Sequence, residues 1–237
     1  MAGLAETGSN PDVDLLYDIN GLAKDAPRWF DRVVEVVGEY GLLVAMVLLV
    51  VCCWWSVRRR GGDDAAVSVA ALIWAPLGAA VAVLVNIPIR GFVERPRPFL
   101  DHQGLEVLVS GKTDYSFVSD HATITMAMGA GLFVANRKFG LVGIGLALVE
   151  GFCQVYMGLH YPTDMVGGFA LGTAVVLLLS PLAMALLTPV TRAVEGSSWG
   201  GVLIRARGAG AGSGVGAGVV PGARGAEAEA EQRDLAA

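Results

Sequence analysis

"AAVSVAALIWAPLGAAVAVLVNIPI", residues 65–89, runs for 25 residues without a charged side chain. A helix of that length exceeds the roughly 30 Å of hydrocarbon in a bilayer. A second uncharged block, "GLLVAMVLLVVCCWWSV", fills residues 41–57. Three less pure apolar stretches follow, at residues 120–136, 139–159 and 165–190. The chain is 54% hydrophobic, and its apolar residues come in long blocks instead of short periodic ones, which marks a membrane composition. The expected fold is an all-α, polytopic membrane bundle of about five transmembrane helices.

Three regions are expected along the chain. Residues 1–38 form an N-terminal interfacial segment, because 11–38 mixes apolar residues with Asp12, Asp14, Asp18, Lys24, Asp25, Arg28, Asp31, Arg32 and Glu35. Residues 39–192 form the membrane domain, and residues 193–237 a flexible tail whose Gly and Ala cannot build a core. No secretory signal pattern precedes the first span. Cys52, Cys53 and Cys153 all fall inside spans and have neither the number nor the spacing of a disulfide framework or a zinc site. With a net charge of -5 and no basic stripe or patch, a nucleic-acid partner is not expected.

Loop charge orients the spans. "RRR" at 58–60, "NRKFG" at 136–140 and the arginines 192, 205 and 207 fall on one side if five spans alternate, and that side is expected to be the cytoplasm. The other side then holds the loop 90–119 and the turn near 160–164. "RGFVERPRPF" places Arg90, Arg95 and Arg97 there, against the charge rule, so these arginines need a task that offsets it.

His102, His121 and His160 are the only histidines, and all fall on that same outer side. Arginine matches phosphate oxygens with a fixed fork of donors and stays charged. One histidine can attack phosphorus while a second protonates the leaving oxygen. A helix starting at Ser119 aims its free amides outward, where an anion binds, and projects His121 from its first turn. Pro162 fits a first helical position, leaving His160 in the preceding turn and Asp164 in the first turn after it. Asp164 is then placed to accept a hydrogen bond from one ring nitrogen of His160, freeing the other. The simpler alternative is that Ser119 and Asp164 only cap helices.

Three motifs in order, "RGFVERPRP" (90–98), "VSDH" (118–121) and "CQVYMGLHYPTD" (153–164), resemble those of the type 2 phosphatidic acid phosphatase superfamily. With "INGLAKDAPRWFD", "DYSFVSDHAT" and "YMGLHYPTDMVGG", the likeness narrows to bacterial undecaprenyl-diphosphatases of the bacitracin-resistance type and covers roughly residues 15–180. The resemblance implies an integral enzyme of the cytoplasmic membrane with its active site on the extracytoplasmic face, a polyprenyl diphosphate substrate and no metal or other cofactor. It implies that Arg90 and Arg97 bind phosphate, with Ser119, Asp120 and Gln154 completing the phosphate-binding set. His121 protonates the leaving lipid phosphate, His160 becomes a phosphohistidine and Asp164 orients it.

The chain departs from the family pattern at three places: Val118 replaces a proline, Cys153 a serine and Gln154 an arginine. Glutamine donates a hydrogen bond but cannot neutralise charge, and losing one preorganised stabiliser costs on the order of 10²–10³ in rate. Glu150, one turn before Gln154, is an acid inside a span, where such residues are expensive and usually functional. Two alternatives therefore stand beside the diphosphatase: a phosphatase of another lipid, such as phosphatidate or phosphatidylglycerophosphate, or a non-catalytic lipid-phosphate-binding relative.

Overall fold

The structure, a computed structural model, describes residues 10–62 and 64–204. Helix α1 (Pro11–Asp25) starts on the Asn10 side chain, which accepts from the Asp12 amide at 3.1 Å. Pro27 precedes α2 (Arg28–Val36), which passes through a π turn (Val37–Gly41) straight into α3 (Leu42–Arg60). Arg28–Arg60 is thus one helix of 33 residues, about 50 Å long. The boundary expected at residue 38 lies inside it. The charges of α2 do not interrupt backbone hydrogen bonding, and the chain meets no stop until Gly61, whose φ of 61° ends α3.

After α4 (Ala65–Val93) and the short α5 (Pro98–Asp101), an irregular loop spans residues 102–119. Helices α6 (Asp120–Ala135) and α7 (Arg137–Tyr156) are joined by Asn136 alone, whose side chain caps α7 by accepting from the amides of Lys138 and Phe139. Helix α8 (Pro162–Glu195) and a final turn, α9 (Gly200–Leu203), complete the described chain. The expected tail boundary at 193 falls within α8, and Ile204 is buried against Cys53, Val57 and Leu72. Residues 205–237, the rest of the expected tail, lie outside the described residues.

Among the described residues four helical runs are long and apolar enough to cross a membrane: Arg28–Arg60, Ala65–Asp101, Arg137–Tyr156 and Pro162–Glu195. The expected span at 120–136 is α6, whose 16 residues, about 24 Å, run between the two ends of the bundle at its centre, against α4, α7 and α8. Met46, Trp74, Ala127 and Val176, from four different helices, meet in one core, while Leu84, Ile87, Leu178 and Leu186 face outward. Outward apolar surface of this kind suits lipid and not water. Close approach depends on small residues: a Cβ at Gly172 of α8 would lie 2.5 Å from the Thr123 carbonyl oxygen of α6. That contact sets the start of α6 beside the start of α8.

Chain direction divides the bundle into two ends. The end of α3, the α6–α7 junction and the end of α8 carry Arg58, Arg59, Arg60, Arg137, Lys138 and Arg192. The opposite end gathers the end of α4, the loop 102–119, the start of α6 and the α7–α8 turn.

Candidate active site

At that second end a cavity of about 100 Å³ is lined by Arg90, Arg97, Lys112, Asp114, Asp120, His121, Gln154 and His160. Six of these come from the sequence motifs, which the bundle therefore brings together. His160 stands in the α7–α8 turn, which reverses at Gly158 with a φ of 71°, a conformation glycine adopts without a Cβ penalty. The imidazole is 4% exposed. Its Nδ1 lies 2.9 Å from the Ser116 carbonyl oxygen, an acceptor only, so Nδ1 carries the hydrogen and donates. Nε2 keeps its lone pair and has Arg97 Nη1 3.2 Å away. Burial, the largest influence, pushes the His160 pKa below its ordinary 6.5; Asp164 partly offsets this and the Arg97 charge adds to it. Burial thus favours the neutral imidazole, with its hydrogen on Nδ1.

Asp164 Oδ2 lies 3.6 Å from His160 Nδ1, too long for the direct hydrogen bond expected from the sequence. The hydrogen goes to the Ser116 carbonyl because the loop 102–119 brings that acceptor closer. Asp164 instead accepts from the Ser116 hydroxyl and, at 2.9 Å, from the Tyr161 amide. It acts on His160 by charge and by fixing Ser116. Fully buried, Asp164 is balanced by Arg95 at 2.9 Å, whose other arm reaches Asp12 of α1 at 2.7 Å. The Arg95 guanidinium also stacks on the Tyr161 ring, 3.6 Å from its centre.

Arg90 and Arg97 face each other across Asp114. The Asp114 carboxylate accepts from Arg90 Nη1 at 3.1 Å and from Arg97 Nη2 at 2.8 Å. Burial pushes its pKa up, but the Arg97 hydrogen bond and the charges of both arginines outweigh that and leave it lowered. Arg97 is anchored further by the carbonyls of Leu159 at 3.0 Å and Asp114 at 3.1 Å. Asp120 pairs with Arg90 and accepts from Asn86 at 2.8 Å, so it aims an arginine and, as an anion, offers no donor to phosphate. Ser119 is fully buried; its hydroxyl caps α6 by accepting from the Ala122 amide at 3.4 Å, and it does not line the cavity.

Gln154 lines the cavity, yet both hydrogens of its amide are committed, one to Gly38 O at 3.1 Å and one to Glu150 Oε1 at 2.8 Å. The expected glutamine donor to phosphate is therefore spent inside the protein, and Glu150 has found its partner. His121 occupies the cavity wall in the first turn of α6. His102 packs edge-on between Tyr17 and Tyr161, outside the cavity. Among the described residues no group of three His, Cys, Asp or Glu side chains is placed to hold a metal ion.

Sequence reasoning singled out Arg95 among the outer-side arginines without giving it a partner, and missed Ser116, Lys112, Asp114 and Glu39 as site residues. Their signal was charge or polarity next to a motif: "GKTDYSF" directly precedes "VSDH", and Glu39 is the last acid before the first apolar block. Nothing in linear spacing says that Glu39 meets Lys112, 73 residues later, at 2.5 Å.

Fold and site together define a polytopic helical membrane protein with a cavity lined by arginine, lysine, aspartate and histidine side chains at one end. Residues 71–187 match the PAP2 superfamily. It is 31% identical over 96 residues to undecaprenyl-diphosphatase BcrC of Bacillus subtilis (strain 168), covering 40% of this chain and 49% of that one. It is 35% identical over 99 residues to decaprenylphosphoryl-5-phosphoribose phosphatase of Mycobacterium tuberculosis (strain CDC 1551 / Oshkosh), covering 41% of this chain and 53% of that one. The chain thus spans about half the length of these relatives. In fold it is similar to a transmembrane PAP2 type phosphatidylglycerolphosphate phosphatase from Bacillus subtilis. The TM-score is 0.52 at 20% identity, over 77% of this chain and 90% of that one.

Proposed function

We propose that the protein is a membrane lipid phosphatase that hydrolyses undecaprenyl diphosphate to undecaprenyl phosphate and inorganic phosphate. The observation that carries this reading is His160, held neutral with Nε2 open beside Arg97 in a cavity that also holds Arg90 and His121. Nε2 attacks the terminal phosphorus, and the bond from phosphorus to the bridging oxygen breaks. His121 in its protonated form gives its proton to that oxygen, so undecaprenyl phosphate leaves. Neutral His121 then takes a proton from water, whose oxygen attacks the phosphohistidine and frees phosphate and His160. Arg90 and Arg97 stabilise the negative charge gathering on the phosphoryl oxygens. The relatives named for undecaprenyl diphosphate and decaprenylphosphoryl-phosphoribose support a polyprenyl substrate. The basic end opposite the site supports an extracytoplasmic active site in the cytoplasmic membrane.

The test is phosphate release from undecaprenyl diphosphate by purified protein in detergent with chelator, beside His160→Ala and a panel of phosphatidate and phosphatidylglycerophosphate. Release that disappears in His160→Ala supports the reading. Faster release from a glycerophospholipid moves the substrate and keeps the chemistry. The committed amide of Gln154 favours a second reading, a lipid-phosphate-binding relative without turnover. That reading requires lipid binding with no release from wild type.

A further inference from the structure

Resting on the phosphatase reading, we propose that Lys112 is the third cation of the phosphate site, taking the part of the arginine whose position Gln154 occupies. Lys112 reaches the cavity from the loop 102–119, not from α7. Its ammonium meets Glu39 Oε1 at 2.5 Å, its one hydrogen-bond partner among the described residues. An ammonium has three donors on a flexible stem, so two remain for phosphoryl oxygens.

Arg90 and Arg97 face Asp114 and Asp120, and Lys112 faces Glu39, so three cations are matched by three carboxylates. Asp114 is 45% exposed, and a phosphoryl group that displaces it meets both arginines and the spare donors of Lys112. Gln154 cannot take that part, because its amide is committed and it carries no charge.

The π turn explains how Lys112 is held. Turns of this kind recur at functional sites because they displace backbone from the regular ladder. Here the turn is tied to the cavity at two points: Gly38 O to Gln154 and the Glu39 carboxylate to Lys112. Glu39 Oε2 is buried with no hydrogen-bond partner. Glu39 is thus a positioning residue that keeps the ammonium at the cavity until phosphate arrives.

The experiment compares wild type, Lys112→Ala, Lys112→Arg, Gln154→Arg and Lys112→Ala/Gln154→Arg. It reads kcat for phosphate release and the Tm shift induced by inorganic phosphate. Lys112→Ala should lower kcat on the order of 10²–10³-fold, and Lys112→Arg should retain most of it. Gln154→Arg should restore the Lys112→Ala protein far more than it raises wild type. A structural brace would not be rescued by charge on another helix, so collapse in Lys112→Ala with no rescue by either arginine overturns the proposal. Wild-type turnover in Lys112→Ala also overturns it while leaving the phosphatase reading intact. If wild type itself releases no phosphate, the phosphatase reading fails. The binding arm then decides: a phosphate-induced Tm shift lost in Lys112→Ala and kept in Lys112→Arg supports the third cation, and equal shifts refute it.

Discussion

Asp114 places a carboxylate between the two arginines that the proposed reaction needs. Its oxygens lie 3.1 Å from Arg90 and 2.8 Å from Arg97, and its side chain is 45% exposed. A phosphoryl group binding to both arginines must displace it. Exposed ion pairs contribute roughly 0.2–1 kcal/mol each, and with partial exposure the two together come to about 1–2 kcal/mol. Asp114→Asn keeps the size and one acceptor but removes the charge, so KM should fall by about 5- to 10-fold, the lower part of that range. The assay is phosphate release against lipid mole fraction in mixed micelles, wild type beside Asp114→Asn. Because its folded pKa is lowered, Asp114 stays charged from neutral into mildly acidic pH, and the KM difference should hold there. It should close only as pH falls through that lowered value. An unchanged or raised KM in Asp114→Asn would refute the competition and make Asp114 an organiser of the arginines.

Three further outcomes are expected. His160→Ala should eliminate both phosphate release and any acid-labile phosphoenzyme, and the acid limb of wild-type kcat/KM should fall below pH 6.5, since activity disappears as pH drops through a lowered histidine pKa. Arg95→Ala leaves the buried Asp164 without its cation and should cost roughly 1–3 kcal/mol, read as a lower Tm in detergent. Gly172→Ala drives a Cβ to 2.5 Å from Thr123 O and should destabilise by roughly 1–3 kcal/mol, with kcat falling as α6 shifts away from α8.

The membrane class was legible because uncharged blocks such as 65–89 leave one solvent choice, and the motif residues were legible because helix ends punctuate them. Pro162 and Ser119 do start helices, and His160 and His121 do meet in one cavity. Residues 120–136 do form a helix that runs the length of the bundle, but their apolarity serves packing against three other helices, a context hydropathy does not separate from lipid. The partners of the site residues were not legible at all. Ser116 O, Arg95 and Lys112 reach it through the irregular loop 102–119 and the turn after α4, whose paths depend on tertiary contacts such as Asn20 to Glu106 at 2.8 Å. Ser119 and Gln154 have the right positions and the wrong orientation, because burial turned each toward a backbone group.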